Sequence, residues 1–272
     1  MKKQETIVPS VNYDPSHFLE FYSIERKHFW FYTRNKIISL ITGIETRSMD
    51  TGYRVLEAGC GTGNVLEILK GSCINGKVIG LDLFNEGLNH IKQFIKVDLV
   101  QGDINTPPFY KCFDLIGLFD VLEHIDDDTE LLIELFNLLR PGGKLLITVP
   151  AHMSLWSYFD EAYFHRRRYS INDLTNKLLI AGFHLEYITY YMSLTYPFVW
   201  FGRRLASIIN KIKKNSSNNS YDLAKNELHI VPIINELASW LLSKEGFFIK
   251  NKIKLPFGSS LLVLVSNQQN IH

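Results

Sequence analysis

A chain of 272 residues with 46% apolar residues has the material for one large domain, or for one domain with a small accessory. Its formal charge of +1 removes any global electrostatic case for a nucleic-acid partner. No apolar run reaches the roughly 18 residues that cross a bilayer.

The amino-terminal MKKQETIVPS has a positive start but no apolar stretch of the kind a secretory leader needs. Cys60, Cys73 and Cys112 form no CxxC pair and no metal-ligand spacing. They read as buried thiols of a reducing, cytoplasmic protein, with no metal expected. Residues 1–14 read as a loose lead-in. From about Ser16 to Ile44 the pattern is helical. Its block His28-Phe29-Trp30-Phe31-Tyr32 is too crowded with rings to be one buried stripe. The segment is either a helix packed on a core or a lid over a ligand, with Arg34 within reach of an anionic group.

After the turn Ser48–Gly52, strand Arg54–Ala58 runs into Gly59-Cys60-Gly61-Thr62-Gly63, and a helix opens at Asn64. Alternate glycines let the backbone turn tightly and let a ligand lie against it. Free N–H groups at the helix start favour an electron-rich partner. The spacing is G-x-G-x-G, not the G-x-G-x-x-G of dinucleotide sites, and Glu57 is a poor neighbour for a pyrophosphate. Both features suit a ligand carrying an ammonium or a sulfonium. At VLEAGCGTGN the chain resembles the first motif of class I S-adenosylmethionine-dependent methyltransferases. The resemblance implies cofactor contacts from Glu57, Gly59, Cys60, Gly61, Gly63 and Asn64. The aromatic block resembles the HFWFR-type segment that precedes this motif in a bacterial subgroup, which puts Trp30 and Arg34 beside the substrate.

Strand Lys77–Asp82 ends in an acid about 20 residues past the glycines, where a carboxylate accepts from vicinal ribose hydroxyls. Asp82 matches the family's second motif, and Leu83 would flank adenine. A helix from Asn85 to Phe94 and a short strand Val97–Leu99 follow. Gly102-Asp103-Ile104 is similar to the adenine-contacting motif. Strand Phe113–Phe119 is a continuous apolar run, as expected when helices cover both faces. It leads to Asp120-Val121-Leu122-Glu123-His124, a phrase recurrent in the family, which places Phe119 and Asp120 on the cofactor. His124 is a candidate base. Helix Asp128–Leu139 is stopped by Arg140-Pro141-Gly142-Gly143, and strand Lys144–Pro150 follows.

The segment Ala151-His152-Met153-Ser154-Leu155-Trp156-Ser157, then Asp160 and His165-Arg166-Arg167-Arg168-Tyr169, resembles the VPA-x-LWS…D…H-x-RRY pattern of the same bacterial subgroup. It adds His152 and His165 as candidate bases and Trp156, Arg167, Arg168 and Tyr169 as substrate contacts. The arginines are either fork-shaped donors for an anion or partners of Asp160 and Glu161. A helix from Ser170 to Ala181, a strand Phe183–Tyr190 and a last strand Ser259–Val265 complete the pattern. Between those strands lie aromatics beside Arg203, Arg204, Lys211, Lys213 and Lys214, a polar loop Asn215–Ser220 expected to be mobile, and a helical stretch Leu223–Leu242.

The resemblance implies an α/β, doubly wound, Rossmann-like sheet of seven mostly parallel strands in the order 3-2-1-4-5-7-6. Helices cover both faces, and a helical insertion separates strands 6 and 7. The expected parts are an N-terminal helical lid (1–45), a cofactor-binding core (46–191 with 257–268) and an insertion (192–256) that caps the site or faces a membrane. The implied activity moves a methyl group from S-adenosylmethionine to O, N or C of a small, lipid-linked or saccharide-linked acceptor, anionic ones included. A nicotinamide-dependent oxidoreductase and an inert S-adenosylmethionine-binding protein are the rival readings. The expected partners are the acceptor and, through 192–214, the inner face of a membrane, with no nucleic acid. The chain is expected to be a monomer or homodimer.

Overall fold

A computed structural model describes residues 18–212, 224, 225 and 227–268. The lead-in 1–14 and the loop Asn215–Ser220 lie outside the described residues.

The sheet has seven strands in the order β3-β2-β1-β4-β5-β7-β6. They are β1 Arg54–Ala58, β2 Lys77–Asp82, β3 Asp98–Gln101, β4 Phe113–Phe119, β5 Leu139–Pro150, β6 His184–Tyr191 and β7 Ser260–Ser266. β7 runs antiparallel to β5 and β6, and the other pairs are parallel. The predicted order is the observed one.

Period-2 geometry sorts the apolar strand residues onto the two faces of the sheet. On β7, Leu261, Val263 and Val265 enter one core, while Leu262 and Leu264 enter the core on the opposite face. The first core is closed by α5 (Asp128–Leu138) and α7 (Ile171–Ile180) through Leu131, Leu135, Leu174 and Leu178. The second is closed by α2 (Phe29–Glu45), α3 (Asn64–Ser72) and α4 (Asn85–Ile91) through Ile38, Leu66 and Leu88.

Three sequence expectations need correction. The helical stretch Ser16–Ile44 divides into α1 Phe18–Glu25 and α2, because His28 leaves helical geometry (φ −74°, ψ 134°) to cap α2. The stop at Arg140-Pro141-Gly142-Gly143 is absorbed into β5, with a register shift against β4. The helical stretch expected across Pro232 is interrupted: Ala224, Lys225 and Glu227 are helical, and a separate helix, α9 Pro232–Leu242, starts with proline in its first turn, where its missing N–H costs nothing. Two more elements of the chain are α6 Tyr158–Ala162 and α10 Glu245–Lys250. α8 (Tyr196–Ile212), α9 and α10 belong to the helical insertion. Its start is fixed by Glu245, a buried carboxylate that accepts from the N–H groups of Met192 and Ser193 at 2.8 Å.

The His28 cap has a testable cost. Its Nδ1 accepts from Trp30 N–H at 3.3 Å, so the ring must stay neutral, and burial lowers its pKa to about 4. A histidine lowered in the folded state contributes its full stability above the unfolded value and loses it as pH falls toward the folded one. Between about pH 6.5 and pH 4 this group alone should remove up to about 3 kcal/mol. His28→Asn keeps the acceptor without the proton, so urea unfolding of that variant should vary less with pH over the same range.

Candidate active site

In an open α/β sheet, ligands gather outside the carboxyl ends of the strands, where strand order reverses. The reversal here lies between β1 and β4. A cleft of about 2130 Å³ opens over the ends of β1, β2, β4 and β5. Single-ligand sites run to roughly 300–1,000 Å³, so this cleft has room for two partners side by side.

The glycine loop forms its floor. Gly59, Gly61 and Gly63 take φ values of 77°, 48° and 81°, which glycine alone adopts cheaply. A Cβ at Gly59 would lie 2.7 Å from Val121 Cγ2, and one at Gly63 2.5 Å from Ile91 Cγ1. At Gly61 it would meet nothing within 4 Å, because that face is the cleft. The loop is braced twice. Asp82 Oδ2 accepts from Gly61 N–H at 2.7 Å, and its Oδ1 accepts from Phe84 N–H at 2.9 Å. Glu25, at the end of α1, accepts from the Thr62 hydroxyl, and its carbonyl accepts from Asn64 Nδ2 at 3.3 Å. No signal in the sequence pointed to Glu25.

Glu57 is 3% exposed, faces the cleft, and its Oε2 has no hydrogen-bond partner. Burial raises its pKa well above the usual carboxylate range. Arg34 opposes the rise, and Glu25 and Asp82 add to it. A buried carboxylate left unpaired beside two others is a costly arrangement that a cationic ligand relieves.

Arg34 is not the free cation the sequence suggested. It is buried and donates to Asp120 Oδ2 at 2.7 Å and to Asn35 Oδ1 at 3.1 Å. Asp120 in turn holds a φ of 54°, a conformation that costs a non-glycine residue roughly 1–2 kcal/mol. Trp30 lines the cleft, with the Arg34 guanidinium 5.3 Å from its ring centre.

The His-Arg-Arg-Arg-Tyr segment also corrects expectation. Arg167 pairs with Asp128 at 2.9 Å, and Tyr169 is fully buried with its hydroxyl donating to Asp128 at 2.8 Å. Neither lines the cleft. Arg168 does, but its Nε goes to Asp160 at 2.6 Å and its Nη1 to the Ala151 carbonyl at 3.1 Å. Arg166 pairs with Asp126. The arginines therefore clamp loops together, because buried acids reach them first. Trp156 faces a separate recess of about 560 Å³. His152 stacks on Tyr190 (4.8 Å between centroids, 16° between planes) away from the cleft, so the structure withdraws it as a base.

His124 and His165 do face the cleft, their rings 5.0 Å apart and edge-on. His165 Nδ1 lies 2.9 Å from Asp160 Oδ1. Burial, with His165 and Arg166 nearby, lowers His124 to about 3. Beside them Glu123 is pushed well up by burial and by Asp120. Of the other expected contacts, Cys60, Asn64, Leu83, Asp103, Ile104 and Phe119 all line the cleft, and Gly63 sits behind it.

Known proteins share the sequence pattern and the fold of this chain. A family model described as a methyltransferase domain matches residues 22–188. A protein of Mycolicibacterium smegmatis named as a probable S-adenosylmethionine-dependent methyltransferase is 32% identical over 139 residues, 50% of this chain and 53% of that protein. A demethylmenaquinone methyltransferase of Lactococcus lactis is 32% identical over 116 residues, 40% of this chain and 46% of that protein. The chain thus spans about half the length of the curated relatives it matches. The structure of Haemonchus contortus phosphoethanolamine N-methyltransferase 2 with S-adenosyl-L-methionine superposes with a TM-score of 0.61 at 19% identity, over 96% of this chain and 59% of that one, a likeness of fold.

Proposed function

The chain belongs to the methyltransferase-domain family, and on that premise we propose that it transfers a methyl group from S-adenosylmethionine to an acceptor with an apolar body. The observation that carries the reading is Glu57, an unpartnered buried carboxylate at the head of an open glycine loop. A ligand that is cationic at one end and bears a ribose fits that set. Glu57 would take the ammonium. The remaining lone pairs of Asp82 would take ribose hydroxyls, and Asp103 and Ile104 would take adenine. When bound, S-adenosylmethionine supplies a methyl group on a positively charged sulfur. The chain's own residues align the partners and exclude water from between them.

Glu57→Gln removes the charge with little change of shape. Cofactor affinity should fall by about 1.5–3 kcal/mol, the worth of a hydrogen bond to a charged group. The sign of the pH dependence follows from the raised carboxyl. Wild-type affinity should climb as pH rises through the elevated Glu57 pKa, and the glutamine variant should lack that part of the slope. Titration calorimetry at several pH values reads both effects.

The acceptor reading rests on the apolar lining. Val199 of α8 and Leu237, Ala238 and Leu241 of α9 line the same cleft as Glu123, His124 and His165. An acceptor with an apolar chain or ring and one polar, methyl-accepting end suits both sets of residues. The name of the Lactococcus relative is compatible with such a molecule. An acceptor hydroxyl would lose its proton to the wall of Glu123, His124 and His165. No described helix is long and apolar enough to cross a membrane. Phe198 and Phe201 on α8 are 78% and 68% exposed, which supports peripheral contact with a lipid surface at the cytoplasmic face. Labelled methyl transfer into cell extracts tests the acceptor class. Label should enter the lipid-soluble fraction, and label confined to water-soluble compounds or nucleic acid would contradict the reading.

A further inference from the structure

Glu123 and His124 lie on the short turn Leu122–His124 after β4, and His165 follows α6. The two segments are stitched together by Arg166 N–H donating to the Glu123 carbonyl at 2.9 Å and by Arg166 Nε donating to the His124 carbonyl at 2.8 Å. One ligand atom from each of Glu123, His124 and His165 lies within 4.8 Å of the other two. Among the described residues no other three of His, Cys, Asp or Glu converge in this way. We propose that this trio is a binding site for a divalent first-row transition-metal ion, open to the cleft on its remaining positions.

Three observations support it. Glu123 is 1% exposed, yet its Oε2 has no hydrogen-bond partner. Of the nearby guanidinium groups, Arg168 is committed to Asp160 and to the Ala151 carbonyl, and Arg166 to Asp126 and to the His124 carbonyl. Second, one imidazole has its far nitrogen already engaged: His165 Nδ1 lies 2.9 Å from Oδ1 of the fully buried Asp160. A carboxylate or carbonyl holding the far nitrogen of a ligating histidine is the usual outer shell of a metal site, and it leaves the near lone pair free. Third, two nitrogens, one carboxylate and an open side make the three-ligand pattern of catalytic rather than structural ions.

A single general base needs one lone pair. Three converging on one point, with the carboxylate unpaired, are costly to bury and are satisfied together by a cation. Bonds of about 2.1 Å put neighbouring ligand atoms about 3.4 Å apart, so loading would draw the three inward by roughly 1 Å. In the sequence the trio is invisible, because its halves are distant and neither has ligand spacing. The site stands on this geometry and does not depend on the methyl-transfer reading.

The test is to strip the untagged full chain with a chelator and titrate it with Co²⁺, reading visible d–d absorption. One equivalent should bind. Glu123→Gln and His165→Asn should each weaken binding by more than the ~10–100-fold that loss of an outer-shell partner costs. Affinity for S-adenosylmethionine, measured in parallel, reports folding of the variants and separates this inference from the function above. Wild-type protein that gives no saturable d–d signal would overturn the metal site, and so would two folded variants that bind Co²⁺ like wild type.

Discussion

Gly63→Ala should destabilise the protein by about 2–5 kcal/mol, while Gly61→Ala should chiefly weaken the cofactor. The two positions differ only in what a Cβ meets. At Gly63, φ is 81° and the new carbon would sit 2.5 Å from Ile91 Cγ1. The left-handed backbone costs an L residue roughly 1–2 kcal/mol. Forcing a methyl group into a packed contact adds about 1–3 kcal/mol. At Gly61, φ is 48° and nothing lies within 4 Å, so only the backbone cost of about 1–2 kcal/mol applies. The methyl group would instead stand where a ligand must approach the main chain. Urea unfolding and titration calorimetry on both variants read the two effects separately. Equal loss of stability in both, with cofactor affinity retained at Gly61→Ala, would contradict the cradle.

Replacing His124 or His165 with alanine should lower methyl transfer by about 10²–10⁴, because either loss opens the wall that meets the acceptor's polar end. The same change at His152 should cost less than about tenfold, because that ring stacks on Tyr190 outside the cleft. The three histidines were equivalent by sequence, since each follows a strand end or lies in the segment after one. Only the structure separates them. Cofactor affinity should be unchanged in all three variants, and labelled transfer under single-turnover conditions isolates the step. A His165→Ala enzyme as fast as wild type would remove the proton-handling wall from the account.

The sheet was legible because most strands carry an apolar run bounded by polar or glycine-rich turns, and because β4 and β7 are buried on both faces. The glycine loop and Glu57 were legible because their chemistry is local, held within one strand and one turn. What was not legible depends on partners distant in the chain. Arg34 looked like an anion hook until Asp120 was found 2.7 Å away. For the arginines the sequence left anion forks and ion pairs both open: Arg168 takes the Asp160 partner it allowed, and Arg167 takes Asp128, which it did not suggest. A charge's partner is a tertiary fact, and buried acids compete with any ligand for a guanidinium. The break at His28 was hidden for another reason. Aromatic residues at helical spacing mask a cap whose acceptor is a ring nitrogen rather than a hydroxyl or carboxylate.

Calorimetric titration of the purified chain with S-adenosylmethionine and, separately, with NADH bears most directly on the cradle as a seat for a cationic donor. Saturable one-to-one binding of S-adenosylmethionine, weakened in Glu57→Gln and absent for NADH, is the predicted result. Tight binding of NADH with none of S-adenosylmethionine would contradict it.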